Sequence, residues 1–166
     1  MRKVLIGLLA VTLVALLVAA DDDDDDDGRS DRRFRAVLTG DQEVPDPVET
    51  DTTGRATFKA NRAETKIEFK LKIRRADDVL AVAGGHIHCA PAGSNGPVVA
   101  FLAGAVPPAG FDGKVEIKAT LTDASVLPTD CGSNIAEVLE AMRAGDTYVN
   151  IHSAGNPAGE IRGQIG

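Results

Sequence analysis

Aromatic residues are scarce in this 166-residue sequence, which has no tryptophan, one tyrosine and five phenylalanines. Hydrophobic residues nevertheless make up 43% of the chain, so a core can form, built mainly from Val, Ile, Leu and Ala. The length suits one domain, with or without a tail, and excludes a large multidomain enzyme.

Common catalytic motifs are absent as well. The sequence has no glycine-rich phosphate loop, no nucleophile elbow and no H-E-x-x-H zinc motif. Only three histidines occur, so any histidine-rich metal site must use nearly all of them. A net charge of −7 argues against nucleic acid and against an anionic membrane surface as the main partner. These absences favour a binding protein over an enzyme.

The first 20 residues have the pattern of a secretory signal peptide. Arg2 and Lys3 precede an unbroken apolar run, which ends in small residues at Ala20. We therefore expect cleavage after Ala20 and a secreted, periplasmic or cell-surface protein. The alternative is an uncleaved membrane anchor, for which this run lies at the lower length limit; only in that case would the protein contact the membrane.

Seven consecutive aspartates, Asp21 to Asp27, follow the apolar run. A block of like charge repels itself, so we interpret residues 21–32 as a disordered, solvated spacer before a folded domain at residues 33–166. Weak calcium binding is the alternative, although an isolated run lacks the preorganised oxygen cage of calcium sites.

From residue 33 onward, apolar and polar residues alternate in short segments. In Lys66–Ile73 every odd position is apolar and every even position is charged, as in an antiparallel strand with one solvated face. Further short segments at 33–38, 54–60, 85–89, 97–102, 114–119, 147–152 and 160–165 are separated by Gly, Pro, Asn and Asp. The pattern predicts an all-β sandwich or small barrel.

One short helix is predicted near residues 134–144. Apolar residues fall at helical spacing on one face, at Ile135, Val138, Leu139 and Met142. Asn134 with Glu137 fits an N-terminal cap, and Gly145 fits a C-terminal cap.

The only two cysteines are Cys89 and Cys131. In an exported chain a disulfide between them is the natural interpretation, and it would stabilise the fold by about 4 kcal/mol in the chain-entropy model. The alternative is two free thiols, with Cys89 available as a soft metal ligand.

All three histidines fall on one predicted face. His86 and His88 are two residues apart in a predicted strand, and His152 shares its parity with Tyr148 and Asn150 in another. The alternate residues are apolar, so parity predicts that the histidines lie on the outer, polar face of the sandwich. If the two strands are neighbours, the three imidazoles can converge on one metal ion, with copper and zinc as the metals that suit them. The alternative is that they are ordinary surface residues or fix the loop after Cys89.

The last predicted strand carries Glu160, Arg162 and Gln164 on one face. The simpler interpretation is an exposed Glu–Arg pair that contributes little to stability. In the other, Asn150, Glu160 and Arg162 support the histidines, with Arg162 as an anion guide or Glu160 as a carboxylate behind the ligands.

Several motifs, in order, resemble the CHRD (chordin-type) domain family. They are the opening strand with its Q-E-V-P turn at 34–45, T-G-R-A at 53–56, G-H-I-H-C-A-P-A-G followed by N-G-P-V-V at 85–99, Y-V-N-I-H-S at 148–153 and P-A-G-E-I-R-G-Q at 157–164. The resemblance covers residues 34 to 166. It implies an immunoglobulin-like or superoxide-dismutase-like Greek-key β-sandwich or barrel, in a family without an established general activity.

By the dismutase analogy, His86 and His88 match an H-x-H copper pair and His152 resembles a further copper ligand. No histidine is left to bridge two metals, so a complete Cu/Zn dismutase is excluded by counting. We therefore expect a non-enzymatic module that binds an extracellular protein or other ligand through its loops. One alternative is a copper-binding protein, with or without weak dismutase-like redox chemistry. The other is a structural cell-surface module.

Overall fold

A computed structural model describes residues 31–106 and 110–166, which contain eight strands and one α-helix. The strands are β1 (Arg33–Leu38), β2 (Thr53–Ala60), β3 (Lys66–Val79), β4 (Gly85–Cys89), β5 (Val98–Ala103), β6 (Phe111–Thr122), β7 (Thr147–Ile151) and β8 (Ile161–Gln164), and the helix is α1 (Ile135–Ala144). The predicted signal peptide, nearly all of the predicted spacer and the Pro107-Pro108 turn lie outside the described residues.

The strands form two antiparallel sheets. The first has the order β1-β2-β3-β6 and the second the order β5-β4-β7-β8. Strands β1 and β8 meet at one edge, where Arg35 and Gly166 exchange two backbone hydrogen bonds of 3.0 Å. The predicted all-β sandwich is confirmed, and within the described residues the sheets do not close into a barrel.

The core lies between the two sheets and follows directly from the alternation. Ile67, Leu71 and Ile73 of β3 face inward and are at most 1% exposed. From the second sheet Ile87 and Val149 meet them, both fully buried. Each such side chain contributes roughly 1.5–3 kcal/mol by burial, so aliphatic residues supply most of the stabilisation in a core with few aromatics.

The predicted helix and its caps are confirmed. The Asn134 side-chain oxygen accepts a hydrogen bond from the Glu137 backbone N–H at 3.1 Å, and Gly145 ends the helix with φ of 76°. A disulfide joins Cys89 at the end of β4 to Cys131 before the helix, with the Cα atoms 5.6 Å apart. This pairing overturns the free-thiol alternative and removes Cys89 from the candidate metal ligands. No helix within the described ranges has the length and hydrophobicity to cross a membrane.

Two strands are longer than the sequence pattern predicts. Strand β3 continues to Val79, and β6 spans Phe111–Thr122 rather than 114–119. Register shifts between Arg74 and Ala76 and between Ala76 and Val79 let the pairing continue after the alternation breaks. A bulge inserts residues without ending the ladder, which explains why a strict period-two pattern misses this extension.

Candidate metal centre

The histidines are placed by two neighbouring central strands of the second sheet. Strands β4 and β7 pair antiparallel, with His86 opposite Asn150 and His88 opposite Tyr148. His152 directly follows β7, and its backbone N–H donates to the Gly84 carbonyl at 3.0 Å, which keeps it aligned with the strand. The two strands that carry the histidines are therefore neighbours, as the predicted metal site requires.

The outer face that carries the histidines is covered by other parts of the chain rather than open to solvent. His86 is 5% exposed and His152 is 7% exposed, and His88 is partly buried. The parity prediction is right, because the three side chains lie opposite the core. The alternative of ordinary surface residues is wrong, because the loops at 40–52 and 90–97 and the turn at 153–160 cover this face.

The three imidazoles converge. Each offers one ring nitrogen, and these nitrogens all lie within 4.8 Å of one another. His86 Nδ1 and His152 Nε2 are 3.2 Å apart. Two nitrogens bound to one ion at about 2.0–2.1 Å are separated by roughly 3 Å, so this spacing suits a shared metal.

Backbone carbonyls fix the tautomers of two of the rings. His88 Nδ1 lies 2.9 Å from the Gly96 carbonyl oxygen, and His152 Nδ1 lies 3.0 Å from that of Pro157. A carbonyl only accepts hydrogen bonds, so both Nδ1 atoms carry a proton and donate it. In the neutral rings, Nε2 then carries a lone pair and no proton, which is the arrangement that metal-binding histidines use.

Burial keeps these histidines neutral. It lowers the pKa of His86 to about 4, with the neighbouring His152 and His88 acting in the same direction. Burial also lowers the pKa of His88 and of His152, against the opposing effect of their hydrogen bonds to Gly96 and Pro157. At neutral pH all three rings are therefore in the form that binds metal.

Arg162 reaches His88 through Tyr148. The Tyr148 ring stacks on the His88 ring, with the two centroids 4.9 Å apart. The guanidinium carbon of Arg162 lies over the Tyr148 ring, 3.5 Å from its centroid. The guanidinium also donates to the Asn95 side-chain oxygen at 2.9 Å and to the Ser94 carbonyl at 2.6 Å. Arg162 is 2% exposed, so it binds the covering loop and is not the exposed partner of Glu160.

A second polar pair lies beside the histidines. Asn150 donates from Nδ2 to Glu43 Oε2 at 3.3 Å, and both side chains are buried. Burial raises the pKa of Glu43 to about 7, although the charge of Arg162 and the hydrogen bond from Asn150 act to lower it. Glu43 is thus a carboxyl that titrates near neutrality next to the three histidines.

Glu160 belongs to a separate network at the edge of the site. It is 4% exposed, and its carboxylate accepts hydrogen bonds from Thr50, Ser153 and Asn156. Burial raises its pKa, but these hydrogen bonds outweigh burial and leave the pKa below its usual range. Glu160 fastens the β1–β2 loop to the turn after His152 and has no direct contact with a histidine ring among its hydrogen bonds.

Unpartnered polar atoms concentrate in this region. Within the described residues, five buried side-chain polar atoms lack a hydrogen-bond partner, and four of them are here: Glu43 Oε1, His86 Nε2, His88 Nε2 and Asn150 Oδ1. Because buried polar groups are nearly always satisfied, such a cluster marks a place where an ordered water or a bound ion can supply the missing partners.

Sequence reasoning missed two contributors. The sequence pattern places Glu43 in a turn and Tyr148 on the histidine face of its strand, and it predicts no contact with the histidines for either residue. The available signal for Tyr148 was its place on the histidine face as the only tyrosine of the chain. Glu43 gave no such signal, since it meets Asn150 across 107 positions of sequence.

A two-sheet antiparallel sandwich with a buried trio of histidines on one outer face defines an all-β domain with a candidate mononuclear metal centre. The family model of the CHRD domain matches residues 34–165, and the chain belongs to this family. Among curated proteins, none matches the chain.

Proposed function

We propose that the domain is an exported, non-enzymatic binding module that holds one copper ion through His86, His88 and His152. The observation that carries the proposal is the convergence of three neutral imidazoles with their ring nitrogens within 4.8 Å. The Nδ1–H groups of His88 and His152 already donate hydrogen bonds to backbone carbonyls, so metal binding requires little reorganisation of these two rings.

The donor set favours copper among the metals that a cell supplies. Imidazole nitrogen suits both zinc and copper, and a given nitrogen site generally binds Cu²⁺ more tightly than Zn²⁺. Three protein nitrogens leave a coordination position free, and the chain has no fourth histidine to build a second, bridged metal site. Bound copper would supply redox chemistry, while Tyr148 and Arg162 would hold His88 and exclude water from its ring.

Export is part of this proposal. The basic and apolar N-terminal segment supports secretion to the periplasm, the cell surface or the medium, and the Cys89–Cys131 disulfide fits an oxidising compartment. Binding of an extracellular partner protein through the loops stays a prediction beside it.

The test is a Cu²⁺ titration of the chain lacking the signal peptide, followed by electron paramagnetic resonance. We expect one tight ion per chain with nitrogen hyperfine structure, lost in His88→Gln, whose amide can still donate to the Gly96 carbonyl. The matched control is Asn61→Gln, an exposed position in the β2–β3 turn. Weak binding that His88→Gln leaves unchanged, or a spectrum with oxygen ligands only, would assign copper to the aspartate run and refute the proposal. A superoxide assay on the loaded protein then measures any redox activity separately.

A further inference from the structure

Every lysine that follows the predicted signal peptide lies on one surface. Strand register places Lys59, Lys66, Lys70, Lys72, Lys114 and Lys118 on the outer face of the first sheet. Arg33, Arg35, Arg55 and Arg74 lie on the same face. Its continuous register rows contain two acidic residues, Glu68 and Glu116, whereas Asp77, Asp78 and Asp112 lie beyond the register shift that follows Arg74. We call this surface the basic face; its formal charge is strongly positive, although the whole chain carries −7.

Like charges lie directly opposite one another across this face. The register pairs Lys70 with Lys118, Lys72 with Arg55 and Arg74 with Lys114. Such cross-strand pairs destabilise a sheet unless other charges compensate.

Two carboxylates partly compensate, and the register places Glu68 opposite Lys59. Glu116 lies 3.0 Å from Lys70, 2.9 Å from Lys118 and 3.6 Å from Lys72. The hydrogen bonds from Lys118 and Lys70 lower the pKa of Glu116 to about 2. Two carboxylates cannot balance ten basic side chains, so the face retains an excess of positive charge that attracts anions.

Part of the basic face is concave. A groove of about 840 Å³ is lined by five basic residues, Arg33, Arg35, Lys59, Lys70 and Lys118, and by one acidic residue, Glu68. An extended acidic segment suits such a groove, because its carboxylates can reach several cations at once.

The chain itself contains an acidic segment of matching charge. Asp21–Asp27 carries seven carboxylates, and only residues 28–32 separate it from β1. The Arg32 carbonyl accepts a hydrogen bond from the Ala60 N–H at 2.9 Å, so the chain enters the sheet beside Lys59. Six residue steps reach roughly 20 Å when extended, whereas the four strands are roughly 14 Å across.

We propose that the Asp21–Asp27 run binds the basic face of its own chain. A short tether keeps the run at an effective concentration of the order of millimolar, which favours this contact over contact with a second molecule. The run is then a built-in cover that another polyanion must displace, rather than an inert spacer. Because the ion pairs are exposed, salt weakens the contact.

The test compares backbone amide NMR shifts of the native chain without its signal peptide and a variant with Asp→Ser at all seven positions. We expect shift differences across residues 55–59, 66–72 and 116–120 that vanish in about 0.5 M NaCl. Differences confined to the first residues of β1 would overturn the proposal. Differences that disappear on tenfold dilution would also overturn it, because the run would then bind a second copy.

Substitutions in the basic face itself, with matched controls, provide a second test of the contact. Lys70→Gln with Lys118→Gln should reduce the native-to-serine shift differences at least twofold. Arg62→Gln with Arg75→Gln removes the same charge at exposed positions outside the register rows of the basic face and should leave the differences unchanged. Polyglutamate should bind the serine variant at least tenfold more tightly than the native chain, and equal binding would show that the run leaves the face open.

Discussion

The guanidinium of Arg162 lies over the ring of Tyr148, 3.5 Å from the ring centroid, and Tyr148 stacks in turn on the candidate ligand His88. The Tyr148 hydroxyl accepts a hydrogen bond from the Gly96 N–H at 3.3 Å, and the Gly96 carbonyl accepts one from His88. Arg162 therefore acts on His88 twice, through the aromatic stack and through the loop at 94–96. If the proposed copper site forms, Arg162 is a positioning residue for its ligand His88.

We predict that Arg162→Lys weakens copper binding by about 10- to 100-fold, the usual effect of removing support from a metal ligand. A lysine cannot donate to two loop acceptors while it lies flat on Tyr148, so unfolding should also become easier by roughly 2–3 kcal/mol. Competition titration with a copper chelator and urea denaturation measure the two effects. Arg75→Lys, at an exposed position, is the control. Unchanged copper affinity in Arg162→Lys would argue against a positioning role.

Acid should remove the contribution of His86 to the stability of the metal-free protein. The pKa of His86 is about 4 in the folded chain, where burial disfavours the charged ring, against 6.5 for an ordinary histidine. The unfolded chain therefore binds more protons between these values, and stability falls as the pH drops from about 6.5 to 4. The full effect is about 3 kcal/mol.

The measurement is the difference in unfolding free energy between the native chain and His86→Asn at several pH values. This difference isolates His86 from Glu43, which titrates in an overlapping range with the opposite sign. We expect the advantage of the native chain to shrink steadily from pH 7 to pH 4. A difference independent of pH would mean that His86 is charged, or solvated, in the folded protein.

Glu43 should destabilise the folded state when it ionises. Burial raises its pKa from 4.5 to about 7, so the folded chain binds more protons than the unfolded chain in this window. The stabilisation that Glu43 gives the folded state is fully present below pH 4.5 and is lost as the pH rises to 7. A protonated Glu43 also gains a donor, and the unpartnered amide oxygen of Asn150 is the buried acceptor beside it.

We therefore predict that the change in unfolding free energy caused by Glu43→Gln is more stabilising at pH 8 than at pH 4, by about 3 kcal/mol. Urea denaturation of native and variant chains at both pH values measures this change. Glu49→Gln, an exposed position in the same loop, should give no such difference. If Glu43→Gln has the same effect at pH 8 and pH 4, Glu43 is already ionised throughout this range.

The strands and the helix could be predicted from sequence because their signals are local. Alternation over Lys66–Ile73 specifies which side chains are buried, and Asn134 and Gly145 mark the helix ends by their own backbone chemistry. The face of the histidines followed from the same parity. These features depend on neighbours within a few residues.

The burial of that face could not be predicted, because it depends on contacts between distant segments. Glu43 meets Asn150 across 107 positions, and Arg162 meets Asn95 across 67. Parity assigns a side chain to one of two faces but does not tell whether loops cover that face. Net charge was misleading for a similar reason, since a chain of −7 hides a face that holds all six of its later lysines.

Gly96 offers a sharp test of the link between loop and ligand. A Cβ atom at this position would lie 1.7 Å from the Cys89 carbonyl oxygen, so Gly96→Ala must displace main chain against main chain. We expect a loss of at least about 3 kcal/mol in unfolding free energy. Gly104→Ala is the matched control, because a Cβ there meets no atom within 4 Å.

The same substitution should weaken copper binding, since the Gly96 carbonyl orients the His88 ring. Urea denaturation gives the folded fraction, and a chelator competition at low urea gives the affinity of that fraction. Because Gly96 offers copper no side chain, reduced affinity of molecules that are still folded would show that this loop holds His88 in place. Unchanged affinity in the folded fraction would instead limit Gly96 to a role in stability and leave His88 held by Tyr148 alone.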